Sequence, residues 1–362
     1  MIEALRRAPT LAVAMQRRYD NFAAIRLGLA LAVVVSHAFS VGTGRVEDEP
    51  LHRLTGYTLG EHAVNGFFAI SGFLVTMSFD RRGWRDYVEA RALRILPGLV
   101  AAVLVVGFLV GGALTRLDLG AYLGSSELWR FIGATLSQLK SNTALPGTFQ
   151  ANPFRFPMGT VWTLRYEIFC YLGVLLAGLA GLIRRPGAVL ALVAALALGL
   201  IGFDATGMSS KAAETSLRLP LIFAAGAALY VWRDRARVSG LVAATFALLT
   251  VIAAATPLYK PLLFLATAYG VLWLALAPRL SWPALDLKTD LSYGVYLYGW
   301  PIQQALQQLA PGMTPAALLG SSLAVTLAVA ALSWFLVEKP ALRLKARRLG
   351  RATLRTIEPA AP

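Results

Sequence analysis

Arg26 and His37 stand eleven residues apart in one apolar stretch. At about 100° per residue that spacing puts both on one helix face, about 16 Å apart along the axis. A charge near the centre of a bilayer costs several kcal/mol, so ionisable residues in apolar helices are functional candidates. Such a face offers a fixed cation at one end and a titratable base at the other. The plain alternatives are an arginine that snorkels to headgroups and a histidine that satisfies a core hydrogen bond. A carboxylate follows in the run Val161-Trp162-Thr163-Leu164-Arg165-Tyr166-Glu167. Glu167 should lie about 9 Å below the helix start, close to the depth expected for His37. A carboxylate beside an imidazole orients the ring and stabilises its protonated form. Its alternative partner, Arg165, is two positions away and points to another face.

Three further groups carry polar chemistry. Asn65, Gly66, Ser71 and Gly72 sit in one apolar run, where small residues usually mean close helix packing. A ligand role for Asn65 and Ser71 is the second reading. Arg91 and Arg94 are at i and i+3, so they share a face if helical. Paired guanidinium forks suit phosphate, although any cytoplasmic joint is basic. Tyr293, Tyr296, Trp300, Gln303, Gln304 and Gln307 fall within about 100° on a helical wheel. Aromatic rings and amides together suit sugar hydroxyls, or they bond neighbouring helices.

These residues need a membrane scaffold. The chain has 362 residues, of which 57% are hydrophobic and only 15% charged. Ordinary soluble domains carry nearer about 25% charge, so a long soluble enzyme is excluded. The expectation is an all-α, polytopic membrane protein with about ten transmembrane helices. They are expected near 22–42, 62–79, 95–115, 161–183, 187–204, 217–232, 239–256, 260–278, 289–309 and 315–338. Residues 1–21 read as a basic N-terminus, 22–338 as one transmembrane domain, and 339–362 as a basic tail. The long connection at about 116–160 holds Pro146, Pro153 and Pro157, which argue for irregular structure. Ser126–Leu139 within it could form an interfacial or re-entrant helix.

The net charge is +15, from 34 Lys and Arg against 19 Asp and Glu. Most of these cations gather at the N-terminus (Arg6, Arg7, Arg17, Arg18), in the 80–94 joint, in later even-numbered joints, and in the tail from Lys339. The positive-inside rule then places both termini in the cytoplasm. It also explains the basic balance without a nucleic-acid partner. The single cysteine, Cys170, excludes an internal disulfide and any cysteine zinc cluster. With three histidines in the chain, no metal site is expected. The first apolar block lacks a small-residue cleavage site and reads as a retained helix.

Taken together, the motifs resemble the acyltransferase-3 family of integral membrane acyltransferases. The Arg26-to-His37 spacing is similar to the family's first-helix signature. The run Asn65 to Leu74 resembles its Phe-Phe-x-x-Ser-Gly-Phe-Leu motif. Arg91 and Arg94 with Ile95 and Pro97 resemble its arginine motif, and Trp162-x-Leu-x-x-Glu167 its Trp-Ser-Leu-x-x-Glu segment. Leu291 to Leu297 and Glu338-Lys339-Pro340 resemble its last two landmarks. The chain departs from the family at Asn65, where Asp is common, and at Gly299, where His is common.

The resemblance implies a bacterial inner-membrane enzyme that moves an acyl group, usually acetyl, from cytoplasmic acyl-CoA to an outer-side hydroxyl. It implies His37 as the catalytic residue and Arg26, Arg91 and Arg94 as donor-binding. Glu167 joins the catalytic set. Asn65, Ser71, Trp162, Tyr166, Tyr296, Gln303 and Gln304 are the candidates to line the site or bind the acceptor. No cofactor is expected to be permanently bound. The acceptor is expected to be a glycan or glycolipid, with association to glycan-assembly machinery as a further expectation. A small-molecule acceptor such as a macrolide, or a transporter instead of an enzyme, are the rival readings.

Overall fold

The computed structural model describes residues 7–17, 20–138, 142–278, 280 and 282–344. Arg6, Arg18, Leu139 and the tail beyond residue 344, all used in the sequence reading, lie outside the described residues. The described chain is helical, and its β-structure is one isolated bridge between Thr10 and Arg237.

In chain order the helices are α1 Leu11–Ala14, α2 Phe22–Thr43, α3 Pro50–Thr55, α4 Leu59–Leu104, α5 Gly111–Leu114, α6 Leu119–Gly124 and α7 Ser126–Leu136. Then follow α8 Leu164–Leu179, α9 Pro186–Ala205, α10 Lys211–Val231, α11 Gly240–Ile252, α12 Tyr259–Leu276, α13 Ser292–Leu309 and α14 Pro315–Ser333. Among the described residues, seven stretches are long and apolar enough to cross a membrane. They begin at Phe22, Leu59, Val161, Pro186, Lys211, Tyr259 and Pro315. This agrees with the expected polytopic class and gives fewer qualifying spans than the ten helices expected. α11 is short, at 13 residues, and the glutamine stripe lowers the hydropathy of α13.

The expected second and third helices and their basic joint form one stretch of 56 residues, Leu59–Leu114. A straight helix of that size would be about 84 Å long, far more than the about 30 Å of a bilayer core. Its break is Gly83, at φ 78° and ψ 175°. The joint around it is helical, because Arg81 to Arg94 hold no proline and few poor helix formers. Pro97 lies within the helix, and a π-helical segment, Val105–Val110, follows.

The chain forms two compact units. One comprises residues up to Ser36, Glu49–Trp84 and Thr163–Asp290. Its α9 packs on α10, and α12 packs on both α10 and α11. Leu11, Phe73, Tyr230, Leu272 and Leu276 form part of its core. There α4 and α10 approach through glycines. A Cβ on Gly72 would lie 2.0 Å from the Phe223 carbonyl oxygen, and one on Gly226 2.1 Å from that of Ala69. The expected packing role of the small residues in this run is therefore realised at Gly72.

The other unit comprises His37–Asp48, Arg85–Trp162 and the chain from Leu291. Its α13 and α14 form an extensive pair. α7 is amphipathic: it buries Leu128 and Phe131 while Trp129 is exposed. Both buried residues lie against Gly107 of the π-helical segment. A π turn frees a carbonyl from the regular ladder, and Tyr122 of α6 donates its hydroxyl to that of Gly107 at 2.5 Å. Burial pushes the Tyr122 hydroxyl up to about 12, so it remains a donor at neutral pH.

Candidate active site

The first unit carries Arg26, Asn65, Ser71, Tyr166 and Glu167. Arg26 lies in the first turns of α2, and its Nη1 is 3.2 Å from Asp290 Oδ2. Both side chains keep partial exposure, so the pair holds the guanidinium in place without closing it off. Sequence reasoning missed Asp290. Its signal was a lone carboxylate just before an amide-rich helix.

Glu167 lies in the first turn of α8. Its Oε1 accepts a hydrogen bond from the hydroxyl of Tyr171, one turn further on. The Ser71 hydroxyl donates to the same oxygen at 3.4 Å. Two residues singled out separately, Ser71 and Glu167, are thus brought together. Tyr171 was missed, although its i+4 spacing from Glu167 is the signal that finds it. Arg165 instead lies over the ring of Tyr166 at 4.9 Å and donates to its hydroxyl at 3.3 Å. Asn65 is fully buried, and neither its amide nitrogen nor its oxygen has a hydrogen-bond partner.

The second unit carries His37, Arg91, Arg94, Trp162, Tyr296, Gln303 and Gln304. His37 is half-buried near the end of α2, and its Nδ1 is buried with no hydrogen-bond partner. Its ring meets the edge of Trp300, with centroids 4.9 Å apart and planes at 89°. Trp300 in turn stacks on Phe156 at 5.2 Å and donates from Nε1 to the Phe156 carbonyl at 3.0 Å. The ring is thus held by aromatic packing, with Nδ1 not engaged in a protein hydrogen bond.

The stripe on α13 fixes the end of the long 116–160 connection. Tyr296 donates to the Thr160 carbonyl at 2.6 Å. Gln304 donates to the carbonyls of Phe154 and Phe156 at 2.6 and 3.1 Å, and accepts from Asn152 at 3.1 Å. Gln303 donates to Ser322 of α14 at 3.3 Å. These amides shape the loop through its backbone. Gly159 permits the fit, since a Cβ there would lie 2.4 Å from the Trp300 ring. Trp162 is half-buried at the end of that segment. Arg91 and Arg94 are half-buried on α4, and Arg94 lies over the Tyr293 ring at 5.7 Å. Tyr293 is held by its own hydrogen bond to the Ile95 carbonyl at 2.9 Å.

Comparison with known proteins adds independent findings. A family model described as an acyltransferase domain matches residues 19–335. The chain is similar to an O-acetyl transferase of Shigella phage Sf6, at 29% identity over 88% of this chain and 94% of the relative. It is also similar to nodulation protein 10 of Rhizobium leguminosarum bv. viciae, at 30% identity over 91% of this chain and 96% of the relative. No solved structure matches it.

Proposed function

From the premise that this chain belongs to the acyltransferase-3 family and is an O-acyltransferase, we propose that it transfers an acetyl group from acyl-CoA to a glycan hydroxyl, with His37 as the general base. The observation that carries this reading is the imidazole itself: packed edge-on to Trp300, with Nδ1 free of any protein partner. The similarity to a phage protein named O-acetyl transferase supports acetyl as the group.

In the proposed reaction the acceptor hydroxyl oxygen attacks the thioester carbonyl carbon while His37 takes the hydroxyl proton. The tetrahedral intermediate collapses, the carbon–sulfur bond breaks, and the proton passes from His37 to the thiolate. The products are the O-acetyl ester and free CoA thiol. General base catalysis of this kind contributes about 10²–10⁴-fold. Glu167, with Ser71 and Tyr171, supplies a carboxylate that either orients the base or receives the acceptor hydroxyl. Asn65, Trp162, Tyr166, Tyr296, Gln303 and Gln304 are proposed to line or shape the site. Arg91 and Arg94 would bind donor phosphates through charge-assisted hydrogen bonds, and Arg26 would mark the inner end of the donor's path.

The finer topology in this proposal is ten transmembrane helices with both termini cytoplasmic, in a bacterial inner membrane. The positive-inside distribution supports it. Acyl-CoA is the donor substrate, and glycan-assembly proteins are proposed neighbours. The test is transfer of radiolabelled acetyl from acetyl-CoA by the purified protein in lipid nanodiscs. Label should reach a polysaccharide acceptor with the wild type and not with His37→Ala. Transfer only to a small hydroxylated molecule would move the acceptor class, and donor-independent flux into proteoliposomes with no acyl transfer would favour a carrier.

A further inference from the structure

The first unit also holds a polar cleft, lined by residues other than those assigned above. Its volume is about 550 Å³. It opens where the 52–58 segment, the start of α4, the end of α9 and the starts of α10 and α12 meet, and Glu61, Asp204, Lys211, Glu214, Tyr259 and Lys260 are among its walls. Three carboxylates and three cations are matched there. Lys260 Nζ donates to Asp204 at 2.6 Å and to Glu214 at 3.0 Å. Glu214 also accepts from the Tyr57 hydroxyl at 2.7 Å. Glu61 Oε1 is 3.2 Å from Lys211 and 3.7 Å from Arg218. Arg218, only 1% exposed, backs the wall with its guanidinium 5.1 Å from the Tyr57 ring centre and 5.9 Å from that of Phe264.

Arg218 is thus a buried charge compensated by Glu61 and by two aromatic rings, which fixes the wall of the cleft. Lys260, Asp204 and Glu214 keep 27%, 24% and 18% exposure, so lone pairs and N–H groups still reach the cleft. An ionic ligand of either sign would have to compete with pairs already made. A neutral polyhydroxylated ligand need not. Its hydroxyls can donate to the outer lone pairs of the carboxylates and accept from the ammonium while the pairs persist. The half-buried Tyr259 ring offers an apolar face to the C–H side of a sugar ring, while Tyr57, buried under Arg218 and Phe264, backs the wall.

We propose that this cleft is a carbohydrate subsite that binds an uncharged sugar residue of the acceptor, away from the residue that is acylated. The proposal rests on the reading of the acceptor as a glycan. It would let the enzyme select a polymer by a sugar it does not modify.

The test is saturation-transfer NMR on the full chain in nanodiscs, without acyl donor. The probes are neutral hexasaccharides of glucose, galactose, mannose and N-acetylglucosamine, with a galacturonate hexamer and a glucosamine hexamer as charged comparisons. At least one neutral probe should bind the wild type, and the charged hexamers should bind at least tenfold more weakly. Lys260→Met should weaken that binding at least tenfold. Ser209→Trp, which fills the cleft mouth and leaves the ion pairs intact, should do the same and cover the case where Lys260→Met fails to fold. His37→Ala should bind as the wild type does, so loss of acetyl transfer and loss of sugar binding are separate results. No binding by any neutral probe, preference for a charged one, or binding that survives Ser209→Trp would overturn the proposal.

Discussion

His37 and Glu167 are held by opposite means. An edge-on aromatic contact fixes the imidazole and leaves Nδ1 open, whereas hydrogen bonds from Tyr171 and Ser71 fix the carboxylate. Removing Trp300 should therefore disturb the base without touching Glu167. We expect Trp300→Ala to lower turnover about tenfold or more while the donor KM stays within about twofold, because an aromatic pair worth about 0.5–1.5 kcal/mol is lost together with orientation. Steady-state transfer kinetics would check it, and an altered donor KM at unchanged turnover would contradict it. Arg91→Ala should show the reverse pattern. Losing a charge-assisted bond of about 1.5–3 kcal/mol should raise the donor KM about tenfold or more. An effect on expression alone would remove Arg91 from the donor site. At this scale residue type and helical spacing were enough to single out Arg26, His37 and Glu167 as candidates. It hid Asp290, because an ion pair formed over 264 positions leaves no local pattern.

Among elements, a backbone-to-backbone constraint is the mutual approach of α4 and α10. A Cβ at Gly72 would overlap the Phe223 carbonyl, and backbone cannot swing aside as a long side chain can. Gly72→Leu should destabilise the protein by about 1–3 kcal/mol or more, seen as a lower thermal midpoint in detergent. Gly28→Ala, where a Cβ meets open space, should leave it unchanged. Equal midpoints for the two variants would argue against close packing there. The glutamines of α13 teach a different lesson. Their helical period marked a polar face, and either sugar hydroxyls or protein neighbours could have used it. The loop from Asn152 to Thr160 takes Tyr296 and Gln304 through its backbone carbonyls, and backbone carbonyls leave no trace in residue identity. The helical joint around Gly83 was missed for a similar reason. Basic residues signal topology and good helix formers at once.

Across the whole molecule, hydropathy made the membrane class legible, while the number of crossings depends on how the 56-residue stretch, the short α11 and the less apolar α13 are counted. Charge placement gives the proposed orientation a direct check. With the single cysteine, Cys170, replaced by alanine, new cysteines at Ser209 and Asp234 should label from opposite sides. Ser209 should react with an impermeant maleimide on intact cells, and Asp234 only after permeabilisation. The opposite pattern would invert the topology. The central claim is His37-dependent acylation of a glycan, and mass spectrometry of surface glycans tests it most directly. Cells would carry the wild type, His37→Ala produced at equal level, or no protein. We predict an acetyl mass increment on glycan from the wild type alone. The same increment from His37→Ala cells would contradict the account.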